Sequence, residues 1–335
     1  MGSKLDSHGG SVRVVRDSCL SSGVGLRARR SANAAMATVH QPVLVDEVVA
    51  WLAPGEGSII VDGTVGGGGH TVALASRVGS SGRLIGLDRD PAMLALAVES
   101  VQGLNLPVTL VHSAYSEIRQ VLDELGIERV DGVLLDLGLS SDQLAWRDRG
   151  FSFAANGPLD MRFDPEASGP SAADLVNRLP EAELAQLFFD LGEERFSRRI
   201  SRRIVEARRV EPIRTTGQLA DLVRRSVPAR NRHGPIDPAT RVFQALRIAV
   251  NDELGQLDVA LKLVPAVLSA GGRAAVISFH SLEDRRVKWA FKTDPRLTVL
   301  TKKPVTATAG EVAVNPRARS AKLRVVERCP NPSSS

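Results

Sequence analysis

Cysteine is nearly absent from this chain: Cys19 and Cys329 are its two, and they lie near opposite ends. That scarcity excludes a disulfide framework and a cysteine-rich metal site, and it fits a reducing, cytoplasmic compartment. No run of about 18 apolar residues occurs, which argues against a membrane span. The histidines (His8, His40, His70, His112, His233, His280) are scattered, with no i, i+4 pair and no neighbouring cysteine, so structural zinc is not expected. Lysine is missing between Arg195 and Arg247, where 14 arginines face four acids, Glu206, Glu211, Asp221 and Asp237. A solvated helical face would interleave more glutamate. Arginine forks in this density point to a polyanionic partner, whose phosphates they grip and whose bases they stack on.

What is present is a chain of 335 residues, 43% hydrophobic, enough for two domains or one domain with a large insertion. Residues 1–38 are rich in Ser, Gly and Arg without apolar periodicity and are expected to be disordered. A transit peptide is the competing view, weakened by Asp6 and Asp17. From Pro42 helices and strands alternate: helix 43–52, strand 59–62, helix 71–78, strand 83–88, helix 91–99, strand 108–112, helix 115–125, strand 130–136. This rhythm predicts a parallel sheet covered on both faces, a doubly wound α/β fold. It stops for about 100 residues of loop and helix, then resumes with a helix over 241–268 and a strand over 273–278. The simplest organisation is a doubly wound domain, 39–141 with 239–330, interrupted by a helical insertion, 142–238. Two β-like runs, 297–302 and 322–327, are expected to finish the sheet as an edge hairpin.

After the first strand come Asp62-Gly63-Thr64-Val65-Gly66-Gly67-Gly68-Gly69-His70, five glycines in the eight positions from Gly63 on. Glycine permits positive φ and brings backbone amides close to a ligand beyond the carboxyl ends of the strands. No register satisfies G-x-G-x-x-G, because the third glycine would fall on Thr71 or Val72, and no Gly-Lys-Ser/Thr follows, so dinucleotide and triphosphate loops do not fit. Asp88, 20 residues beyond Gly68 at the end of the second strand, suits a ribose hydroxyl. A nucleoside cofactor without a pyrophosphate, such as S-adenosylmethionine, uses both features, although a nicotinamide cofactor shares the device. Asp88 is alternatively a turn or capping residue ahead of Pro91. Asp136 ends the fourth strand and is placed at the rim of the same crevice; its alternative is a cap for the next segment.

These residues resemble the MraW (RsmH) family. The resemblance is carried by His40-Gln41-Pro42-Val43-Leu44, the loop from Asp62 to His70, Leu87-Asp88-Arg89-Asp90-Pro91 and Leu134 to Ser141. It continues through Arg149-Gly150-Phe151-Ser152-Phe153, Pro158-Leu159-Asp160-Met161-Arg162, Gly192 to Phe196, Ser278 to Arg285, and Asn315 to Ser320. It runs in one order from about His40 to Arg328, and implies a class I methyltransferase with an inserted helical domain. It also implies S-adenosylmethionine as methyl donor and the N4 of a cytosine in the decoding region of 16S ribosomal RNA as acceptor. Cofactor contacts are implied at Gly68, Gly69, His70, Asp88, Tyr115, Asp136 and Gln143; on spacing alone Tyr115 is a core residue at a helix start. Two departures stand out: the segment between Phe291 and Asn315 is shorter than usual, which puts RNA contacts there in question, and residues 1–38 have no counterpart.

For the chemistry, a group that accepts a hydrogen bond from N4–H is required. Asp136 is the first candidate, with the carbonyls of Leu137 or Gly138 as alternatives. His280, after the strand 273–278, is a second catalytic candidate or an ordinary structural histidine. The cysteines bear on the reaction type, since methylation at ring carbon five needs a cysteine nucleophile and neither Cys19 nor Cys329 is suitably placed. Arg198, Arg202 and Arg209, with Arg317 and Arg319, are the expected grips on small-subunit ribosomal RNA or the assembled subunit around an extruded base. The alternatives are a methyltransferase acting on another nucleic acid or a protein amine, and a nucleotide-binding, RNA-associated protein without catalysis. Oligomeric state, a homodimer included, is open.

Overall fold

The structure, a computed structural model, describes residues 12–16, 41–231 and 236–330. It divides into two compact units, one running to Gly138 and again from Gln256, the other Leu139–Gly255.

The first unit is an eight-stranded sheet. Its strands are β1 (Val12–Arg16), β2 (Ile59–Asp62), β3 (Arg83–Asp88), β4 (Val108–His112), β5 (Val130–Asp136), β6 (Leu268–Ser278), β7 (Leu297–Val299) and β8 (Lys322–Arg328), in the order β1-β4-β3-β2-β5-β6-β8-β7. All pairings from β1 to β6 are parallel; β8 lies antiparallel to β6 and β7 antiparallel to β8, which makes the expected edge hairpin. The helices of this unit are α1 (Val45–Leu52), α2 (Gly69–Val78), α3 (Pro91–Val101) and α4 (Ile118–Glu124).

The apolar runs of the central strands are buried on both faces, and their residues alternate between two cores. Ile60, Leu134, Ala275 and Ile277 join α1, α2 and α3 on one face. Val61, Val133, Leu135, Ala274 and Val276 join α4 and later helices on the other. A period of two in a continuous apolar run is what a strand covered on both sides requires. The chain winds outward from β2 through β3 and β4, then returns to β5, so the order reverses between β2 and β5. That reversal leaves the crevice in which doubly wound sheets bind ligands.

The second unit is helical: α5 (Ser141–Ala145), α6 (Ala172–Arg178), α7 (Glu181–Gly192), α8 (Ser197–Arg208), α9 (Thr216–Ser226) and α10 (Ala239–Asn251). Its core gathers Leu184, Phe188, Ile200, Ile204, Leu219, Val223, Val242 and Leu246. On α8 the buried residues Ser197, Ile200, Ser201 and Ile204 fall at helical spacing, so Arg198, Arg199, Arg202 and Arg203 all turn outward.

Three expectations change. The single helix expected over 241–268 is two, α10 and α11 (Glu253–Val267), separated by Asp252 in the left-handed region (φ 48°). Accordingly α10 packs on α6, α7 and α9, and the return to the α/β unit comes at Gln256 rather than at 239. Second, residues 1–38 are not without structure throughout: Val12–Arg16 forms an edge strand on β4, supported by the β-branched run Val12, Val14 and Val15. The rest of that extension lies outside the described residues. Third, Tyr115 does not open a regular helix; it begins a 3-10 turn, Tyr115–Glu117, that precedes α4.

The remaining helices of the first unit are α12 (Ser281–Thr293) and α13 (Ala309–Val314). No helix among the described residues is long and apolar enough to cross a membrane.

Candidate functional site

The parallel strands bring Asp62, Asp88, His112 and Asp136 to one edge of the sheet, with Asp62 paired beside Leu134, Asp88 beside His112 and Asp136 beside Ile277. The glycine loop folds over these ends and is held by side chains as well as by backbone. Asp62 accepts from the Thr64 N–H (3.2 Å) and from Thr71 Oγ1 (2.8 Å), while Thr64 Oγ1 accepts from the Asp136 N–H (2.7 Å). Gly63 donates to the Leu134 carbonyl (2.9 Å). A Cβ at Gly63 would lie 2.5 Å from Leu135 Cδ2 and 3.0 Å from Tyr115 Cβ, so the loop leaves β2 with no room for a side chain. At Gly67 the space is open, with no atom within 4 Å of a Cβ position, and Gly68 takes φ 87° as the loop turns into α2. A Cβ at Gly68 would meet Ser100 Cβ at 3.2 Å, so of the two only Gly67 has open space beside it.

Asp88 is half-buried and receives two backbone donors, Gly66 N–H on Oδ2 (2.9 Å) and Asp90 N–H on Oδ1 (2.8 Å). Burial, reinforced by the neighbouring Asp90, nevertheless pushes its carboxyl up to about 7. The cap of α3 is Asp90, which accepts from the Ala92 N–H (3.0 Å), so the capping alternative for Asp88 falls to its neighbour. Each Asp88 oxygen keeps lone-pair capacity for a ligand hydroxyl.

Asp136 is unusual among these acids. Its Oδ1 is buried and has no hydrogen-bond partner, whereas its Oδ2 lies 3.6 Å from His70 Nδ1. His70 is 6% exposed, and its Nε2 faces the Val43 carbonyl at 2.9 Å. A carbonyl only accepts, so Nε2 carries a proton, while Nδ1 faces Asp136 Oδ2 at a distance longer than a hydrogen bond. Burial raises the Asp136 carboxyl to about 6; His70 and Arg317 pull it down, and Asp62 and Glu283 push it up. The next helix is capped by Ser140, not by Asp136.

The segment 41–44 supports the loop from behind. Pro42 Cγ would be 2.9 Å from a Cβ on Gly69, Val43 orients His70, the Leu44 N–H donates to Glu311 Oε1 (2.7 Å), and Asn315 Nδ2 donates to the Gln41 carbonyl (2.9 Å). Sequence reasoning missed Thr64, Thr71, Pro42 and Val43 as supports. A signal existed only for the threonines, which stand among the glycines with hydroxyls available to a buried aspartate.

The other expected residues are less uniform. Tyr115 lies against the second core beside Gly63, at the crevice edge of the sheet. Gln143 belongs to the helical unit, where its backbone and side chain make reciprocal capping bonds with Ser140 (3.0 and 2.9 Å). His280 stands at the N-cap position of α12 without a side-chain capping bond: its ring Nε2 is 3.1 Å from Glu283 Oε1, and Glu283 Oε2 accepts from the Phe279 N–H (2.9 Å). Both ring nitrogens are buried at the end of β6 without a hydrogen-bond partner. Arg317 is half-buried near Asp136, whereas Arg319, Arg198, Arg202 and Arg209 are exposed. Cys329 follows β8 at the sheet end away from Asp136, 3.3 Å from Thr298 Oγ1; Cys19 lies outside the described residues.

Residues 37–329 match the profile of the MraW methylase family. The chain is 47% identical over 307 residues to the ribosomal RNA small subunit methyltransferase H of Citrifermentans bemidjiense, covering 86% of this chain and 98% of that protein. It is 51% identical over 297 residues to the protein of the same name from Synechococcus sp. strain JA-2-3B'a(2-13), covering 86% and 92%.

The buried, raised carboxyl of Asp136 has a consequence for stability. A group whose pKa is higher in the folded state than its ordinary 3.8 favours folding when protonated, and that contribution is lost as pH rises from about 4 through about 6. Asp136→Asn therefore stabilises the protein at pH 7.5 by roughly 1–3 kcal/mol, and the gain shrinks towards pH 4. Denaturant melts of both proteins across that range check it. A variant that is less stable than the parent at pH 7.5 contradicts the unpartnered-carboxylate geometry.

Proposed function

Since the chain belongs to the MraW methylase family, we propose that it transfers a methyl group from S-adenosylmethionine to the exocyclic N4 of a cytosine in small-subunit ribosomal RNA. The observation that carries this reading is the buried, unpartnered Asp136 Oδ1 at the crevice where the strand order reverses.

The residues present fit the cofactor. The open space at Gly67 and the positive φ of Gly68 let the loop backbone approach it closely, and Asp88 offers two acceptor oxygens for ribose hydroxyls. Gly69 and His70 open α2, and Tyr115, partly buried at the start of the 3-10 turn after β4, would cover the adenine. When bound, S-adenosylmethionine supplies a methyl on a positively charged sulfur, ready for in-line attack.

The protein's contribution is positioning and proton handling. A cytosine amine is a weak nucleophile because its lone pair is delocalised into the ring. Asp136 Oδ1 accepts a hydrogen bond from N4–H, which turns the lone pair outward and concentrates it on nitrogen. As the C–N bond forms, the methyl's bond to sulfur would break with its electron pair left on sulfur as a neutral thioether, and the surplus proton on nitrogen would pass to Asp136. An acid near 6 takes that proton transiently and yields it at neutral pH. Oδ2 lies against the His70 ring, and Oδ1, buried without a partner, is the oxygen left for substrate. Amine methylation needs no covalent adduct, in agreement with a Cys329 lying at the far end of the sheet. The outward arginines of α8, Arg198 and Arg202, together with Arg209, Arg317 and Arg319, supply the phosphate contacts that hold RNA while the target base leaves its stack. His280, with buried ring nitrogens that lack a hydrogen-bond partner after β6, is the second catalytic candidate.

Labelled cofactor incubated with small ribosomal subunits, followed by nucleoside mass analysis, tests the reaction: label in N4-methylcytidine is expected, and label in 5-methylcytidine or in protein overturns it. Cofactor binding tests the site separately. Ribose hydroxyls bond best to the ionised Asp88 carboxylate, so affinity rises as pH is raised through about 7. Asp88→Asn weakens binding and flattens that dependence, as read by calorimetry; a variant with the parent's pH profile assigns the effect elsewhere.

A further inference from the structure

Helices α11 and α12 enclose a groove of about 770 Å3 on the α/β unit, lined by Asp258, Leu261, Lys262, Arg285, Arg286 and Trp289 among others. We propose that this groove is a second RNA-contact surface, in which Trp289 stacks on an unpaired base and the surrounding cations take the flanking phosphates. The inference rests on the reading of the protein as an RNA methylase and extends it to a surface away from the glycine loop.

Trp289 is 71% exposed. The buried apolar stripe of α12 is Leu282, Val287 and Phe291, and Trp289 lies off that stripe, so packing among the described residues does not explain it. A large aromatic left in water marks a contact surface more often than a scattered small apolar residue does. Its neighbours decide the chemistry of the partner. Arg285, Lys288 and Lys292 on α12 and Lys262 on α11 are exposed, and Arg286 is half-buried.

The acids nearby are engaged. Asp258 pairs with Arg286 (3.3 Å), Asp294 with Arg296 (2.7 Å), Asp284 with Arg324 (2.7 Å), and Glu283 is buried beside His280. The result is an aromatic face ringed by cations, the arrangement by which single strands are held without sequence readout. A second copy of this chain is a poorer occupant, because a two-fold contact would set these cations against themselves.

The test uses the full chain, with a single-stranded fragment of small-subunit ribosomal RNA and the small subunit itself as probes. Trp289→Ala is expected to weaken RNA binding by roughly tenfold, and Trp289→Phe, which keeps a stacking face, by much less. Lys262→Ala and Lys288→Ala should each lower the slope of log affinity against log salt by about 0.7. Cofactor affinity is expected to be unchanged in all four. Equal RNA affinity for parent and Trp289→Ala overturns the proposal, as does a parent dimer that the substitution dissociates, or loss of binding to anionic vesicles with RNA binding intact. If the parent itself neither binds nor methylates the RNA, the functional reading fails first, and that outcome is distinct.

Discussion

Burial of three carboxylates at neighbouring strand ends, Asp62, Asp88 and Asp136, is the constraint around which the α/β unit is arranged. Removing a carboxylate from water is unfavourable unless donors replace the lost hydration. Asp62 recovers them from Thr64 and Thr71, and Asp88 from the Gly66 and Asp90 amides. These bonds help give the glycine loop its shape, since Thr64 and Gly66 of the loop are two of the four donors. Asp136 is left with one oxygen unsatisfied, next to a histidine fixed by the Val43 carbonyl.

That incomplete satisfaction fits catalysis by positioning. A pocket that saturated Asp136 internally would leave no acceptor for an amine, and a fully solvated Asp136 would sit near 4 and be a weak base. Burial moves it to about 6, between the two. The supports are remote in sequence: residues 41–44 hold the loop and are in turn tied to Glu311 and Asn315. The crevice therefore depends on contacts that cross almost the whole unit.

Much of this was legible in the sequence, for a physical reason. A strand buried on both faces has to be apolar throughout, so the runs at 59–62, 130–136 and 273–278 announce the parallel sheet, and the acids that end them announce its binding edge. The break at Asp252 was hidden because a non-glycine residue in the left-handed region leaves no sequence mark, and the apolar pattern continues through it into α11. The same invisibility covers the His70 and Asp136 contact, which joins residues on different elements. The exposure of Trp289 is likewise a tertiary fact: only the packing of α12 shows which side of that helix faces water. The contact of His280 with Glu283 was hidden in the same way, because it depends on how the end of β6 meets the first turn of α12.

The central claim is that Asp136 acts as an ionised acceptor for the amine. Single-turnover methyl transfer at saturating cofactor and RNA, measured from pH 5 to 8, tests it most directly. The account predicts a rate that climbs as pH passes through about 6 and then levels, with that inflection absent from the residual activity of Asp136→Asn. A chemical step that is flat across the range in the parent protein, or that keeps the same inflection without the carboxylate, would contradict it.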